Sequence, residues 1–306
     1  MSHLVNFNYP FPSVKDRLFK SILREYLDWG VNSFVFNVEL AMECCEDPEA
    51  RAELGKICRE FGVSFRSMHG LCGQSHDLNI PEKENRERML ERHRRAMTLA
   101  AEFGSKTYTV HVGAYHYVYE HIRAEESRPR AKQALEALLP LAEKLGIVIA
   151  VENAFEAVNS PDEVLAIVKD YLGSPSMGVC YDTGHANIMT PYPWKKLENY
   201  ERYMPNSWWD SGIIEEPHAL EKLSPHVVTC HIHDNNACGD LHSLPFDGCI
   251  DWNALMPKLV ACPRMMEYQT ETCFSYGKNW AGTLPAPVGG YSIHRQVETF
   301  RKLGFQ

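Results

Sequence analysis

Seven short stretches of this 306-residue chain end in side chains that bind metal ions or carry protons. They are His69, His111, Glu152, the pair Asp182 and His185, His231, the pair Asp240 and His242, and Glu271. Apart from the pair that closely follows His231, successive stretches lie between 30 and 49 residues apart. A strand, a helix and two loops take on the order of 30 residues or more, so the candidates recur about once per β/α unit. A ring of parallel strands would need that interval to aim them at one point. Carboxylates mixed with imidazoles suit a divalent Mn, Co, Zn or Mg ion, and ligand type alone does not choose among these.

A carboxylate at the end of an apolar strand costs several kcal/mol unless it is paired or meets a cation. Glu152 follows Val-Ile-Ala-Val, Asp182 follows Gly-Val-Cys-Tyr, and His231 lies in Val-Val-Thr-Cys-His-Ile-His-Asp. A lone strand-end histidine such as His69 or His111 reads equally as a hydrogen-bonded structural residue. Glu152, Asp182 and His231 together would need three separate structural reasons. Alternation along a strand puts His231 and His233 on one face, and Glu267 and Glu271 on one face. Glu271 is preferred because it lies nearer the strand's C-terminal end.

The elements that must position these residues follow from the apolar runs. Strands are expected at Leu4–Asn8, Val31–Val38, Val63–Met68, Lys106–Val112, Ile147–Glu152, Met177–Asp182, Val227–His233 and Met265–Glu271. Most are rich in Val, Ile, Tyr, Phe or Thr and are bounded by Gly, Pro or polar residues. Helical patterns lie between them. Arg86–Phe103 stops at Gly104, and Ala131–Leu145 stops at Gly146, with Pro140 expected to kink or split it. Ser160 followed by Pro161 and Asp162 is a helix start, with Ser as cap and Pro at the first helical position. Eight strands alternating with helices predict an α/β fold, a single (β/α)8 TIM barrel over residues 1–306. The stretch Ala186–Leu223 is long for a simple connection after strand 6. It carries Tyr192, Trp194, Tyr200, Tyr203, Trp208 and Trp209 as an aromatic-rich insertion. Such an insertion could stack on a sugar ring, form a lid, make a subunit contact or pack its own aromatics.

Composition narrows the function classes. Hydrophobic residues make up 44 % and charged residues 23 %, ordinary for a globular chain. A net charge of −9 gives no footprint for a phosphate backbone, which weakens a nucleic-acid reading. None of the ten cysteines falls in a CxxC pair, which fits reduced thiols. The N-terminal Met-Ser-His-Leu-Val-Asn-Phe has no basic segment leading into an apolar stretch, and no apolar run approaches the ~20 residues that span a bilayer. A soluble, cytoplasmic protein with no membrane partner is expected.

Three motifs resemble a known family. Val151-Glu152-Asn153, Tyr181-Asp182-Thr183-Gly184-His185 and His231-Ile232-His233-Asp234 look like the xylose isomerase-like TIM-barrel superfamily. Its members include sugar phosphate isomerases/epimerases, ketose 3-epimerases, inosose dehydratases and endonuclease IV. The segment from Asp240-Leu241-His242 through Gly248-Cys249-Ile250-Asp251-Trp252 resembles their D-x-H followed by a Gly-containing turn and Ile-Asp. The resemblance runs from about His69 to Glu271 and is more specific for the superfamily than for the reaction. It implies that Glu152, Asp182, His231 and Glu271 hold one metal ion and that His185 contacts substrate. It also matches His69, His111, Asp240 and His242 to positions that complete a cluster of several zinc ions in endonuclease IV-like members.

The leading expectation is a metal-dependent isomerase or epimerase of a small-molecule sugar or polyol. Glu152 and Glu271 would be the catalytic pair, one removing a carbon-bound proton and the other returning it, through an enediolate stabilised by the ion. His185, His233, Tyr115, Trp208 and Trp209 are candidate substrate contacts. The alternative is a zinc-cluster phosphodiesterase of the abasic-site endonuclease type, which the acidic charge disfavours. A non-catalytic barrel that binds a sugar or metal is a third reading. Barrels of this kind are often dimers or tetramers, so a homo-oligomer is a further expectation.

Overall fold

A computed structural model describes residues 4–196, 213–272 and 291–305. Eight parallel strands close into a barrel in sequence order. They are β1 (Val5–Asn8), β2 (Ser33–Phe36), β3 (Ser64–His69), β4 (Thr107–Val110), β5 (Val148–Glu152), β6 (Met177–Asp182), β7 (Val227–Ile232) and β8 (Tyr268–Thr270). The helices are α1 (Phe19–Asp28), α2 (Val38–Glu46), α3 (Pro48–Phe61), α4 (Lys83–Glu102), α5 (Ala114–Glu120), α6 (Ala124–Leu145), α7 (Pro161–Val168), α8 (Thr183–Met189), α9 (Ala219–Leu223), α10 (Trp252–Val260) and α11 (Ile293–Lys302). This is the (β/α)8 barrel expected from the alternation, with each strand inside or within a few residues of its expected run. No helix among the described residues is long and apolar enough to cross a membrane.

Local chemistry explains the helix ends. Asp47 accepts hydrogen bonds from Glu49 and Ala50 N–H ahead of Pro48, and Gly62 ends the same helix in the left-handed region at φ 66°. Ser160 caps α7 through the N–H of Glu163, with Pro161 at the first position, as the sequence predicts. Of the two outcomes expected at Pro140, the split does not occur. Helix α6 runs unbroken from Ala124 to Leu145 through Pro140. Pro140 is exposed, so the carbonyl it frees one turn earlier can be solvated, while Ala131, Ala134, Leu135, Leu138 and Ala142 keep the opposite face buried.

Two layers of core result. Between strands and helices lies one apolar cluster, dense in aromatic rings around Tyr9, Tyr26, Phe34, Phe36 and Phe65. Inside the barrel is a small apolar group of Val148, Ala150, Cys180 and Val228. Beside it runs a buried polar layer. Asn6 donates to Ser67 Oγ at 2.5 Å and to Glu267 Oε2 at 2.8 Å, Thr107 donates to Glu267 Oε1, and Gln269 donates to Thr229 Oγ1 at 2.9 Å. Each of these donors finds an acceptor, while Gln269 Oε1 in the same layer is buried without a hydrogen-bond partner among the described residues.

Two register shifts decide which residues face inward. Between β2 and β3, Phe34 pairs with Phe65 but Val35 pairs with Ser67, so Arg66 is an extra residue. Between β6 and β7, Val179 pairs with Val227 but Cys180 pairs with Thr229, so Val228 is extra. Each bulge shifts the alternation of its strand by one position. After the first, His69 points into the mouth. After the second, His231 becomes the register partner of Asp182.

Candidate metal centre

The C-terminal ends of the strands form the active face of such barrels, and the candidate ligands gather there. Glu152 ends β5, Asp182 ends β6, His69 ends β3, His231 lies one residue before the end of β7, and His111 and Glu271 each sit one residue past a strand. Asp182 is also the N-cap of α8. Its Oδ1 accepts the His185 N–H at 2.6 Å, which gives the Asp-x-x-His spacing a physical cause. Asn153 braces the same corner, accepting the Asp182 N–H at 3.0 Å. The Thr183 hydroxyl donates to the His233 carbonyl at 2.7 Å and so ties α8 to the end of β7.

The four residues expected to share one ion converge on a single nitrogen. His231 Nδ1 lies 3.0 Å from Glu152 Oε1, 3.1 Å from Glu271 Oε2 and 3.8 Å from Asp182 Oδ2. One imidazole nitrogen cannot satisfy two carboxylates with one proton. Glu271 Oε2 is buried and lies outside hydrogen-bond geometry, and Asp240 Oδ1 is likewise buried without a hydrogen-bond partner among the described residues. Ligand atoms about 3 Å apart are what a divalent ion with bonds of about 2.0–2.2 Å holds around itself.

The other four candidates enter the same mouth. His111 Nε2 lies 2.9 Å from Glu152 Oε2, and His69 Nε2 lies 3.8 Å from Glu271 Oε1. His242 Nε2 lies 3.0 Å from Asp240 Oδ2, and His185 Nε2 reaches the same oxygen at 3.5 Å. Three of these imidazoles share one arrangement. The Nδ1 of His69 faces Gly70 O at 2.9 Å, that of His185 faces Asn153 O at 2.9 Å, and that of His242 faces Glu271 O at 2.7 Å. Donation from Nδ1–H to a carbonyl leaves Nε2 facing the mouth, the nitrogen that would bind an ion once it gives up any proton. Ligand-competent groups formed here include His69–His111–Glu152, His69–His231–Glu271, Asp182–His185–His233 and His233–His242–Glu271.

Electrostatics fit a cation as well. Burial opposes charge on Glu152, yet His231 and His111 outweigh it and hold the carboxyl well below the usual range. Glu271 is lowered despite burial, chiefly by His231, and Asp240 is held well down by His242 and His185. Burial alone would lower the imidazoles. The acids reverse this, raising His185 through Asp182 and Asp240 and bringing His242 up to about 10 through Asp240. For His69 burial prevails over Glu271, and its imidazole is lowered. Protons on imidazoles thus balance the carboxylates, and uptake of a divalent ion here would release protons. Cys180 forms a further such group with Glu152 and His231, and burial lifts its thiol to about 12.

The mouth has a floor and a rim. The side chains of Glu152, Asp182, His231 and His233 are at most 2 % exposed, whereas those of His69, His111, Asp240 and Glu271 are 18 to 25 % exposed. Solvent therefore reaches Glu271 and the rim, while Glu152 lies beneath them. His233 is fully buried, with Nε2 at 3.0 Å from Asp182 Oδ2 and its ring stacked on His242 at 4.3 Å. Tyr115 is half-buried on α5, against the rings of His116 and Tyr119. Trp208 and Trp209 lie outside the described residues, as do Tyr200 and Tyr203 of the same insertion.

Two buried carboxyl groups near the mouth were not singled out by motif. Burial raises both Asp77 and Glu156, with His111 opposing for Asp77, and Asn159 then His185 opposing for Glu156. Glu156 had a signal, a second carboxylate one helical turn beyond Glu152 in Glu-Asn-Ala-Phe-Glu. Asp77 had none.

Comparison with known proteins agrees with this architecture. The chain is 25 % identical over 228 residues to the uncharacterized protein y4fM of Sinorhizobium fredii, a match covering 67 % of this chain and 65 % of that one. It therefore spans less than two thirds of that relative's length. The structure of an L-ribulose 3-epimerase superposes with a TM-score of 0.72 at 16 % identity, covering 99 % of this chain and 94 % of that one. The IOLI protein with a binding zinc atom superposes with a TM-score of 0.66 at 15 % identity, covering 98 % and 96 %. These likenesses show the fold. Residues 30–271, the greater part of the chain and nearly all of the ligand-bearing strands, match the family model for the xylose isomerase-like TIM barrel, and the chain belongs to that family.

Proposed function

We propose that this chain is a divalent-metal-dependent isomerase or epimerase acting on a sugar or related polyol. The observation that carries the proposal is the placement of Glu152 Oε1 and Glu271 Oε2 at 3.0 and 3.1 Å from His231 Nδ1. It sets two carboxylates from different strands beside one candidate ion position. Glu152, Asp182, His231 and Glu271 would hold the ion. Bound there, it supplies positive charge that makes a carbon-bound proton next to a carbonyl more acidic.

The chain's own residues do the rest. One of Glu152 and Glu271 takes the proton, and the other, having first picked up a proton from solvent, delivers one to the opposite face. Both are held as carboxylates, which makes them weak bases, so proximity must contribute much of the rate. His185, fixed through Nδ1 by Asn153 O, presents Nε2 to a substrate oxygen. The names of the L-ribulose 3-epimerase and the zinc-binding neighbour support the same reading.

A second reading, the zinc-cluster phosphodiesterase, is favoured by the three imidazoles whose Nδ1 is tethered and whose Nε2 faces the mouth. Against it, no Lys or Arg pairs with a mouth carboxylate among the described residues, and the net charge is −9.

The deciding experiment incubates the purified chain with a panel of ketoses in D2O and counts bound ions. Deuterium at the carbon beside the carbonyl is expected, together with about one ion per chain and recovery by Mn, Co or Mg after chelation. Absence of exchange across the panel, with Glu152→Gln matching wild type, would end the proton-transfer reading. Two or three tightly held zinc ions with phosphodiester cleavage would establish the second.

A further inference from the structure

The segment after β7 carries Asp240 and His242, and its backbone is strained. Ala237, His242 and Phe246 have φ of 59°, 47° and 75°, a region that non-glycine residues seldom occupy. Such residues persist when their surroundings over-determine them. The surroundings here are one carboxylate. Asp234 is fully buried and accepts four N–H donors, one for each of its lone-pair sites. Oδ1 takes Asn235 N at 2.9 Å and Ile250 N at 3.2 Å. Oδ2 takes Phe246 N at 3.1 Å and Trp252 Nε1 at 2.8 Å. Backbone bonds of 2.8 and 2.9 Å between Asp234 and Ser243 close the first half of the segment. Gly248 passes so near that a Cβ there would lie 2.2 Å from Asp234 Oδ1. Both ends of the loop are therefore gathered on Asp234, with the Asp240–His242 pair between them.

We propose that Asp234 is the positioning residue for the Asp240–His242 pair, and that through this pair it sets the part of the mouth that the Nε2 atoms of His185 and His242 face, on the other side from His111. Asp234 is too deep to touch substrate and acts through the loop. The proposal rests on the metal-centred reading only for its second readout. Partners that orient metal ligands typically change ion affinity by roughly 10–100-fold when removed.

The test uses Trp252→Phe, which removes one of the four donors and keeps the ring, alongside Asp234→Asn. In the ion-free chain, amide exchange in peptides covering 235–251 should quicken at least about tenfold in Trp252→Phe, with residues 148–182 unchanged. Zn2+ affinity in the same protein should fall by roughly 10–100-fold in the component that Asp240→Asn also weakens, and be kept in the component that His111→Gln weakens. Unchanged exchange in 235–251, or Zn2+ binding indistinguishable from wild type, overturns the proposal. If wild type takes up no Zn2+, the metal-centred reading fails and amide exchange alone decides the role of Asp234. If Asp234→Asn does not fold, Trp252→Phe carries both readouts.

Discussion

Asp182 and His231 are register partners across β6 and β7 because β7 carries one extra residue at Val228. With no bulge, continuing the pairing of Val179 with Val227 would put Cys230 beside Asp182. The centre of the mouth thus depends on a backbone irregularity more than one turn of pleat below it.

That irregularity has a packing requirement. A Cβ on Gly178 would lie 2.5 Å from Val228 Cγ1, so Gly178 is where the bulged strand is accommodated. Gly178→Ala should destabilise the chain by about 1–3 kcal/mol through overpacking. Gly178→Ala with Val228→Ala should recover more than half of the loss, read from urea unfolding. Additive losses would show that the two positions do not share the constraint.

Asp182 has two jobs that one substitution separates. Asn caps helices about as well as Asp, so Asp182→Asn should keep α8, read as unchanged amide exchange over residues 183–189 of the ion-free chain. Affinity for Zn2+ should fall by at least about tenfold. A variant that exchanges far faster there yet binds Zn2+ normally would make Asp182 a cap and nothing more.

Glu267 shares a face with Glu271 but sits in the polar layer, held by Asn6 and Thr107, and burial raises its carboxyl above the ordinary value. The neutral form is favoured in the fold, so its contribution is present at low pH and is lost as pH rises through the raised value. Glu267→Gln cannot ionise. Its urea midpoint relative to wild type should therefore shift in the variant's favour between pH 5 and pH 8. A difference independent of pH would show that Glu267 titrates as it does unfolded.

His93 gives the opposite dependence. It is fully buried on α4, its Nδ1 facing the Tyr108 hydroxyl at 2.8 Å and its Nε2 facing His76 O at 2.8 Å. Burial lowers its imidazole to about 4. A depressed value means stability present above the unfolded value of about 6.5 and lost as pH falls toward 4, on the order of 3 kcal/mol over that window. His93→Gln should flatten that part of the stability profile. An unchanged acid slope would place the titration on other groups.

The sequence by itself determined the eight apolar runs, their order and the ligands at their ends. These are local properties: a Val-Ile-Ala-Val run is a strand wherever it pairs, and Glu152 follows it by covalent adjacency. The cap at Ser160 was legible for the same reason. The tertiary structure alone decided which faces those ligands present. The bulges at Arg66 and Val228 exist only against neighbouring strands, and each reverses the alternation that a single strand would predict. Pro140, read locally as a break, is absorbed because the exposed side of α6 leaves the freed carbonyl to water. The roles of Glu267 and Asp234 were likewise hidden. A carboxylate's role depends on the donors brought to it, and those arrive from residues up to 261 positions away.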